Sequence, residues 1–276
     1  TTFKEISASK MQEIEIPIPP LNEQRRIAAK VEALQARSAK AKKALIEAQA
    51  LLEKFRQSVL AAAFRGDLTA RWREEHPDAE PASAFLQRIR KERRKRWEEA
   101  QLAKYAVKGK TPPKDWKKKY PEPVAVNTGG LPDLPDGWCW ASLDELGEIK
   151  GGITVNNARN KDELVEVPYL RVANVQNGYL DLSEIKTIFA SQQEIDMLSL
   201  QIGDVLLNEG GDRDKLGRGW VWEQQIETCI HQNHVFRMRP VLYGDISIYI
   251  STYANSFGRK YFIDEGQQTT NLASIS

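Results

Sequence analysis

His231 and His234, three residues apart, and the carboxylates Glu209, Asp212 and Asp214 are the groupings best suited to hold a metal ion in this chain of 276 residues. On a helix, His-x-x-His would turn both rings to one side. On a strand they point to opposite faces, and no metal is expected. The three carboxylates read as a solvated turn. Asp133 or Asp136 followed by Glu148-Ile149-Lys150 matches the spacing in which carboxylates hold Mg²⁺ and a lysine aids the attacking water. A stand-alone Mg-dependent nuclease is therefore one alternative, but such triplets are common by chance, and Pro132 to Gly137 reads as a loop. An adenine methyltransferase needs Asn/Asp-Pro-Pro-aromatic to hold a flipped base. The pairs Pro19-Pro20 and Pro112-Pro113 follow Ile18 and Thr111 instead, and no GxxxxGK[ST] phosphate loop occurs. No catalytic residue is assigned.

The remaining polar chemistry is that of recognition. Lys150, Thr154, Asn156, Asn157, Arg159 and Lys161 surround the Gly151-Gly152 pair. Asn174, Gln176 and Asn177 form a second group, and Arg213, Lys215 and Arg218 a third. Gln267, Gln268, Thr269, Thr270 and Asn271 form a fourth. Asn and Gln amides pair bidentately with adenine and Arg with guanine, while Lys mostly meets phosphate. These residues are the DNA-binding candidates, provided the four loops converge on one face. Spacing alone does not show that. Arg171, alternating with apolar neighbours, reads as structural.

The formal net charge is only +2, but its distribution is uneven. Residues 85–119 carry fourteen Lys/Arg against four Asp/Glu, and residues 134–276 carry twelve against twenty. A net negative domain counts against DNA binding in bulk, although the placement of sign on a contact face matters more than the sum. Cys139 and Cys229 lie far apart without zinc spacing, so a reducing, cytoplasmic setting is expected. No run of eighteen apolar residues and no leader pattern are visible, and no membrane role is expected.

Residues 13–20, alternating and then ending in prolines, predict a terminal strand. Beyond Pro20 the apolar or small positions Ile27, Val31, Leu34, Ser38, Ala41, Leu45, Ala48, Leu52, Phe55, Val59 and Ala62 follow steps of four and three. That seam of period 3.5 predicts one helix of roughly 45 residues, about 65–70 Å long, with Asn22 as N-cap and Gly66 as stop. A helix with one apolar seam needs a partner, and nothing else in the chain offers an equal seam. Ile27, Val31, Leu34, Leu45, Leu52, Phe55 and Val59 are the partner-facing candidates. Residues 81–107 predict a second, basic helix whose Arg88–Arg96 run either is solvated or faces phosphates. Residues 108–133, rich in Gly, Pro and Lys, read as a linker. From Leu134 the texture is α+β, with strands expected at 165–175, 203–208, 219–223 and 234–239 and helices at 142–147, 191–199 and 244–257.

The two ends look alike. Thr1-Thr2-Phe3-Lys4-Glu5-Ile6-Ser7 aligns with Thr270-Asn271-Leu272-Ala273-Ser274-Ile275-Ser276 at Thr, Ile and Ser. The expectation is one period excised from a two-period protein, in keeping with the absent initiator Met.

Three stretches carry a family resemblance. Ile16-Pro17-Ile18-Pro19-Pro20-Leu21-Asn22-Glu23-Gln24-Arg25-Arg26-Ile27 resembles the junction between a target recognition domain and its conserved helix in the specificity (S) subunits of type I restriction-modification systems. Leu60-Ala61-Ala62-Ala63-Phe64-Arg65-Gly66-Asp67-Leu68-Thr69-Ala70-Arg71-Trp72-Arg73 is similar to the end of that helix. Leu134-Pro135-Asp136-Gly137-Trp138, Leu146-Gly147-Glu148-Ile149 and Gly151-Gly152 resemble the start of a recognition domain. Pro168-Tyr169-Leu170-Arg171-Val172-Ala173-Asn174-Val175 and Gly203-Asp204-Val205-Leu206-Leu207 resemble its interior. The family plan has two recognition domains and two antiparallel helices, and this chain shows one helix and one nearly whole domain.

The resemblance implies an α+β fold, a mixed α/β target recognition domain joined to a long coiled-coil-forming helix. The expected boundaries are 1–20 for the tail of a first recognition domain, 21–80 for the spacer helix and its end, 81–133 for the basic helix and linker, and 134–276 for the second recognition domain. It also implies a non-catalytic subunit that reads half of a bipartite site in double-stranded DNA and docks methyltransferase (M) subunits through its helix, with restriction (R) subunits joining the complex. S-adenosylmethionine, ATP and Mg²⁺ would belong to those partners, and this chain would bind no cofactor. The truncated form could dimerise through its bared seam. A coiled-coil scaffold without DNA readout is the other alternative.

Overall fold

The computed structural model describes residues 6–156, 163–242, 244, 246–265, 267–269 and 272–274, the last two segments by backbone alone. The chain divides into two units, Thr1–Val59 and Leu60–Ser276.

The first unit opens with α1 (Ala8–Gln12), whose Lys10 amide donates to the Ser7 Oγ cap at 3.3 Å. The strand expected over 13–20 is not formed. Ile14, Ile16 and Ile18 are exposed and join no ladder among the described residues, and Pro17, Pro19 and Pro20 have no N–H to give to one. Helix α2 (Leu21–Phe64) follows, 44 residues long, or about 66 Å at 1.5 Å per residue. It starts one residue before the expected cap, Asn22. The Pro20 carbonyl accepts from the Glu23 and Gln24 amides, and the Gln24 side chain donates to Pro19 O at 2.8 Å. The seam forms as expected, and no residue of α2 is buried. Near its start an open groove of about 860 Å³ is lined by Ile16, Ile18, Ile27 and Val31, among others.

In the second unit, Phe64 at the end of α2 meets Tyr249, Tyr253 and Phe257 edge-on, with ring centroids 5.2, 5.1 and 5.8 Å away. Gly66 then takes φ +80°, the left-handed turn that ends a helix without a Cβ clash. Helices α3 (Ala70–Glu75) and α4 (Ala82–Val107) come next. Leu86 and Ile89 are buried on α4. Its basic run, open between solvent and phosphate on sequence alone, is largely paired. Arg93 meets Asp144 at 2.7 Å, Arg90 meets the buried Glu145, Arg88 meets Glu80 at 2.5 Å, and Arg96 meets Glu92 at 3.0 Å.

The segment whose composition suggests a linker is held in place. After Gly109 the chain returns along α4, where Trp116 stacks on Trp97 (5.8 Å) and Tyr120 meets Trp97 edge-on (5.4 Å). Lys117 reaches Glu98 at 2.8 Å, and Ser142 Oγ donates to Val124 O at 2.8 Å. Aromatic contacts therefore override what Gly, Pro and Lys content suggests.

The mixed domain begins with α5 (Leu143–Leu146), closed by a Ser142/Glu145 capping box, so Glu145 both caps α5 and anchors Arg90 of α4. Strands β1 (Gly147–Lys150), β2 (Val165–Leu170), β3 (Val175–Gln176), β4 (Tyr179–Leu180) and β5 (Lys186–Ala190) precede α6 (Gln192–Leu198). Then come β6 (Val205–Asn208), β7 (Gly210–Gly211), β8 (Gly219–Val221), β9 (Ile230–His231) and β10 (Val235–Pro240). Helices α7 (Ile246–Tyr253) and α8 (Arg259–Glu265) are joined through a π-helical stretch, Ala254–Gly258, and β11 (Gln267–Thr269) and β12 (Leu272–Ser274) close the described chain. Antiparallel β1-β10-β6-β8 is the main sheet. Beside it lie β5-β2-β9, β11-β12-β7 and the hairpin β3-β4.

Three apolar clusters fill the space between these layers. One forms around Val205, Leu207, Val221, Met238 and Ile250, another around Leu170, Val175, Leu206 and Trp222, and a third around Tyr169, Ile195 and Ile230. The Gly203-Asp204-Val205 motif acquires a reason here. Asp204 is fully buried and takes Arg239 bidentately at 2.7 and 2.8 Å, with a further bond from the Gln201 amide at 2.7 Å. A buried carboxylate is tolerable only when it is paired and bonded in this way.

Candidate nucleic-acid interface

One short segment, Asn208 to Gly211, gathers the polar groups that lie far apart in sequence. Asn208 ends β6 and donates its amide to Val175 O (2.9 Å) and Val172 O (3.3 Å), which ties down the 171–177 loop. Gly217 N and the Arg218 carbonyl bond the Asn208 backbone, which fixes the 212–218 loop. Glu209 meets His234 Nδ1 at 3.0 Å, and Glu209 N donates to His234 O. Gly210 and Gly211 pair with Ser274 and Ala273 of β12, which in turn pairs with β11.

The 150–156 loop joins through the neighbouring turn. Ile153 is buried and bridges Gln232 in parallel, with Ile153 N bonded to His231 O and Asn233 N to Ile153 O. A Cβ on Gly152 would lie 1.9 Å from His231 O, so only glycine permits this approach.

The second and third loops also touch directly. Arg218 donates to Gln176 Oε1 (3.0 Å), Asp214 O (3.0 Å) and Asp214 Oδ2 (2.5 Å). Gln176 also donates to Ala173 O at 2.8 Å. Lys215 bonds Asp212 at 2.5 Å, and that bond, with the lysine charge, holds the Asp212 carboxyl below its usual range. Arg213 is exposed and has no ion-pair partner among the described residues. Gly219 follows Arg218, and both its backbone groups are clamped by the Asn255 amide, at 2.9 Å to N and 2.7 Å to O. Asn255 sits in the π-helical stretch, and Arg259 just beyond it donates to Asp214 O.

The sequence-read candidates thus fall into several kinds. Gln176, Arg213, Lys215 and Arg218 share one loop pair. Asn177 lies beside them in the β3–β4 turn, its Oδ1 buried and without a partner among the described residues. Thr154 and Asn156 are exposed next to buried Ile153, and Lys150 ends β1 opposite Arg237. Asn174 is placed otherwise. It is 3% exposed and spends its amide on the Arg171 amide, Asp181 O and Glu184 O, which makes it a holder of the loop. Gln267, Gln268 and Thr269 form β11. Asn157, Arg159, Lys161, Thr270 and Asn271 lie outside the described residues, as do most of the two matching ends. Asn208, Asn255 and Arg259 were not singled out by the sequence, because an Asn that ends an apolar run or sits in an apolar helix gives no pattern.

The metal and nuclease groupings are dispersed. Glu209, Asp212 and Asp214 each bond a different side chain (His234, Lys215 and Arg218), and no group of three His, Cys, Asp or Glu suited to a metal occurs among the described residues. Glu148 turns to Arg237 at 3.4 Å. Burial pushes the Cys229 thiol up to about 12 and raises that of Cys139.

Comparison with known proteins gives a consistent result. Residues 1–48 match the family model described as type I restriction modification DNA specificity domain. The chain is 41% identical over 97 residues to the type I restriction enzyme EcoDI specificity subunit of Escherichia coli, covering 34% of this chain and 22% of that protein. It is 39% identical over 94 residues to the EcoKI specificity subunit of Escherichia coli (strain K12), at 33% and 20% coverage. It is 38% identical over 92 residues to the StySPI specificity subunit of Salmonella potsdam, at 32% and 20%. The match spans about a fifth of the length of these relatives. Among solved structures, that of the HsdS subunit from Thermoanaerobacter tengcongensis covers 100% of this chain and 52% of its own, with TM-score 0.47 and 19% identity. The family model and the curated relatives bear out the resemblance to type I specificity subunits read from the residues. So is the α+β class with a long helix, which the elements themselves display.

Proposed function

We propose that the chain acts as a specificity subunit of a type I restriction-modification system. It reads one half of a bipartite site in double-stranded DNA with the loops gathered at Asn208–Gly211, and it docks M subunits through the seam of α2. R subunits join through that complex. The observation that carries the reading is the linkage of Gln176, Arg213, Lys215 and Arg218 with β11 through Asn208–Gly211, and with the 150–156 loop through the adjoining 231–234 turn. Arg and Gln held side by side on rigid loops suit base-edge contacts, and Arg213, Lys215 and Lys150 suit phosphate. The role is binding: chemistry on the base and ATP-driven steps reside in partners, which would hold S-adenosylmethionine, ATP and Mg²⁺. The proposed division keeps 1–20 as the tail of one recognition domain and 134–276 as another, and a cytoplasmic setting follows. In this form the seam of α2 also permits a self-dimer.

Selection from a randomised duplex pool at about 150 mM salt, with and without a cognate M subunit, tests the reading. A short fixed motif, sharpened by the partner, is the expected outcome. A well-formed complex that enriches no motif would leave a scaffold without readout.

A further inference from the structure

Helix α4 changes character at Trp97. Before it, Arg88, Arg90, Arg93, Arg94 and Arg96 are each matched by a carboxylate: Glu80, Glu145, Asp144, Glu98 and Glu92. Beyond it the carboxylates run out. Lys117 and Lys118 take Glu98 and Asp115, whereas Lys104, Lys108, Lys110, Lys114 and Lys119 are exposed and have no ion-pair partner among the described residues. Lys104 and Lys108 stand seven and eleven residues after Trp97, so helical periodicity places all three on one face. Trp97 is also where the returning chain is pinned, through Trp116 and Tyr120. Lys110 and Lys114 lie on that return, between the end of α4 and Trp116. The five cations therefore lie on the end of α4 and the chain that returns along it, which Trp116 and Tyr120 pin at Trp97.

We infer that this lysine edge binds the phosphate backbone of duplex DNA flanking the half-site. The inference rests on the DNA-reading function proposed above. Residues 134–276, which carry the reading loops, are acidic by about eight charges, so they supply little sequence-blind attraction. The same compact unit holds an uncompensated cationic edge outside those loops, built of Lys, which meets phosphate as a point charge. The arginines that composition suggested for this task are already engaged in fixing α4.

The test compares the whole chain with a variant carrying Lys104→Gln, Lys108→Gln, Lys110→Gln and Lys114→Gln. A control carries Lys30→Gln, Lys40→Gln, Lys42→Gln and Lys54→Gln in α2. Lys and Gln have near-equal helix propensity, so folding is spared, which an unchanged unfolding midpoint verifies. Affinity is measured against salt for duplexes with long flanks and for duplexes trimmed to the site. On long flanks the α4 variant should flatten the log–log slope by about 0.9 per phosphate given up, with the selected motif unchanged and little effect on trimmed duplex. An unchanged slope, or equal flattening in the control, would overturn the inference. Failure of the parent chain to select any motif would instead defeat the function proposed above, and the slope comparison then stands on random duplex.

Discussion

His231 shows how a single side chain can tie the fold to pH. It is fully buried, and its Nδ1–H donates to Val235 O at 2.6 Å, while Nε2 has no partner among the described residues. A second proton would land on Nε2, where no acceptor among the described residues receives it. Burial, with Arg237 adding to it against the Val235 bond, lowers the His231 pKa to about 4. In the unfolded chain the value is near 6.5, so between those limits the unfolded state binds more protons than the folded one. The stabilisation is whole above pH 6.5 and is lost as pH falls toward 4, on the order of 3 kcal/mol in all. The lowered carboxylates, Glu98, Asp181 and Asp212, act only below about 4.5. Thermal unfolding should therefore weaken from pH 6.5 to 4.5 in the parent chain. In His231→Asn, which keeps a donor near the Nδ1 position, that window should be flat. Parallel profiles for the two proteins would contradict the assignment. None of this is legible in sequence, where His231 and His234 look alike. Only the fold buries one and leaves the other to Glu209.

At the scale of elements, the helix that runs from α7 through the π-helical stretch into α8 acts as a brace. The extra residue of a π turn shifts the side chains that follow. Here the stretch holds Asn255 against both backbone groups of Gly219 and precedes Arg259, which reaches Asp214 O. Gly219 is buried and directly follows Arg218, so the brace sets the base of the 212–218 loop. Replacing Asn255 by Ala leaves the Gly219 N–H unpaired, at a cost of about 2–3 kcal/mol. Faster amide exchange at Gly219 and a blurred selected motif are expected, with the salt slope untouched. Unaltered exchange at Gly219 would mean the clamp is incidental.

The elements that sequence disclosed were those with long periods: the 3.5 seam of α2, the span of α4, and apolar strands such as β2, β6 and β10. Those it missed are short and defined by partners. β7 and β9 are two residues each, and no propensity marks a π turn. The strand expected at 13–20 failed for the converse reason, since alternation without a neighbouring ladder leaves an extended, prolyl segment.

At the scale of the whole molecule, the unusual feature is how little α2 buries. Seam positions Ile27, Leu34, Leu45, Leu52 and Phe55 remain 49%, 51%, 69%, 67% and 68% exposed. Helices in water draw most of their stability from packing of an apolar face. A seam sustained over this length therefore calls for a second helix, supplied by an M subunit or by another copy of the chain on the function proposed above. Leu45→Arg with Leu52→Arg separates seam from helix. Arg has nearly the helix propensity of Leu, so only the apolar face is damaged. The parent chain should gain mass in sedimentation equilibrium as concentration rises or M subunit is added, and its far-UV helical signal should rise in step. The double variant should stay monomeric and fail to bind M, while the unfolding of residues 60–276 keeps its midpoint and the isolated duplex motif is still selected. A parent chain that stays monomeric with constant helicity, alone and with M, would show that α2 stands without a partner and would remove the docking role of the seam.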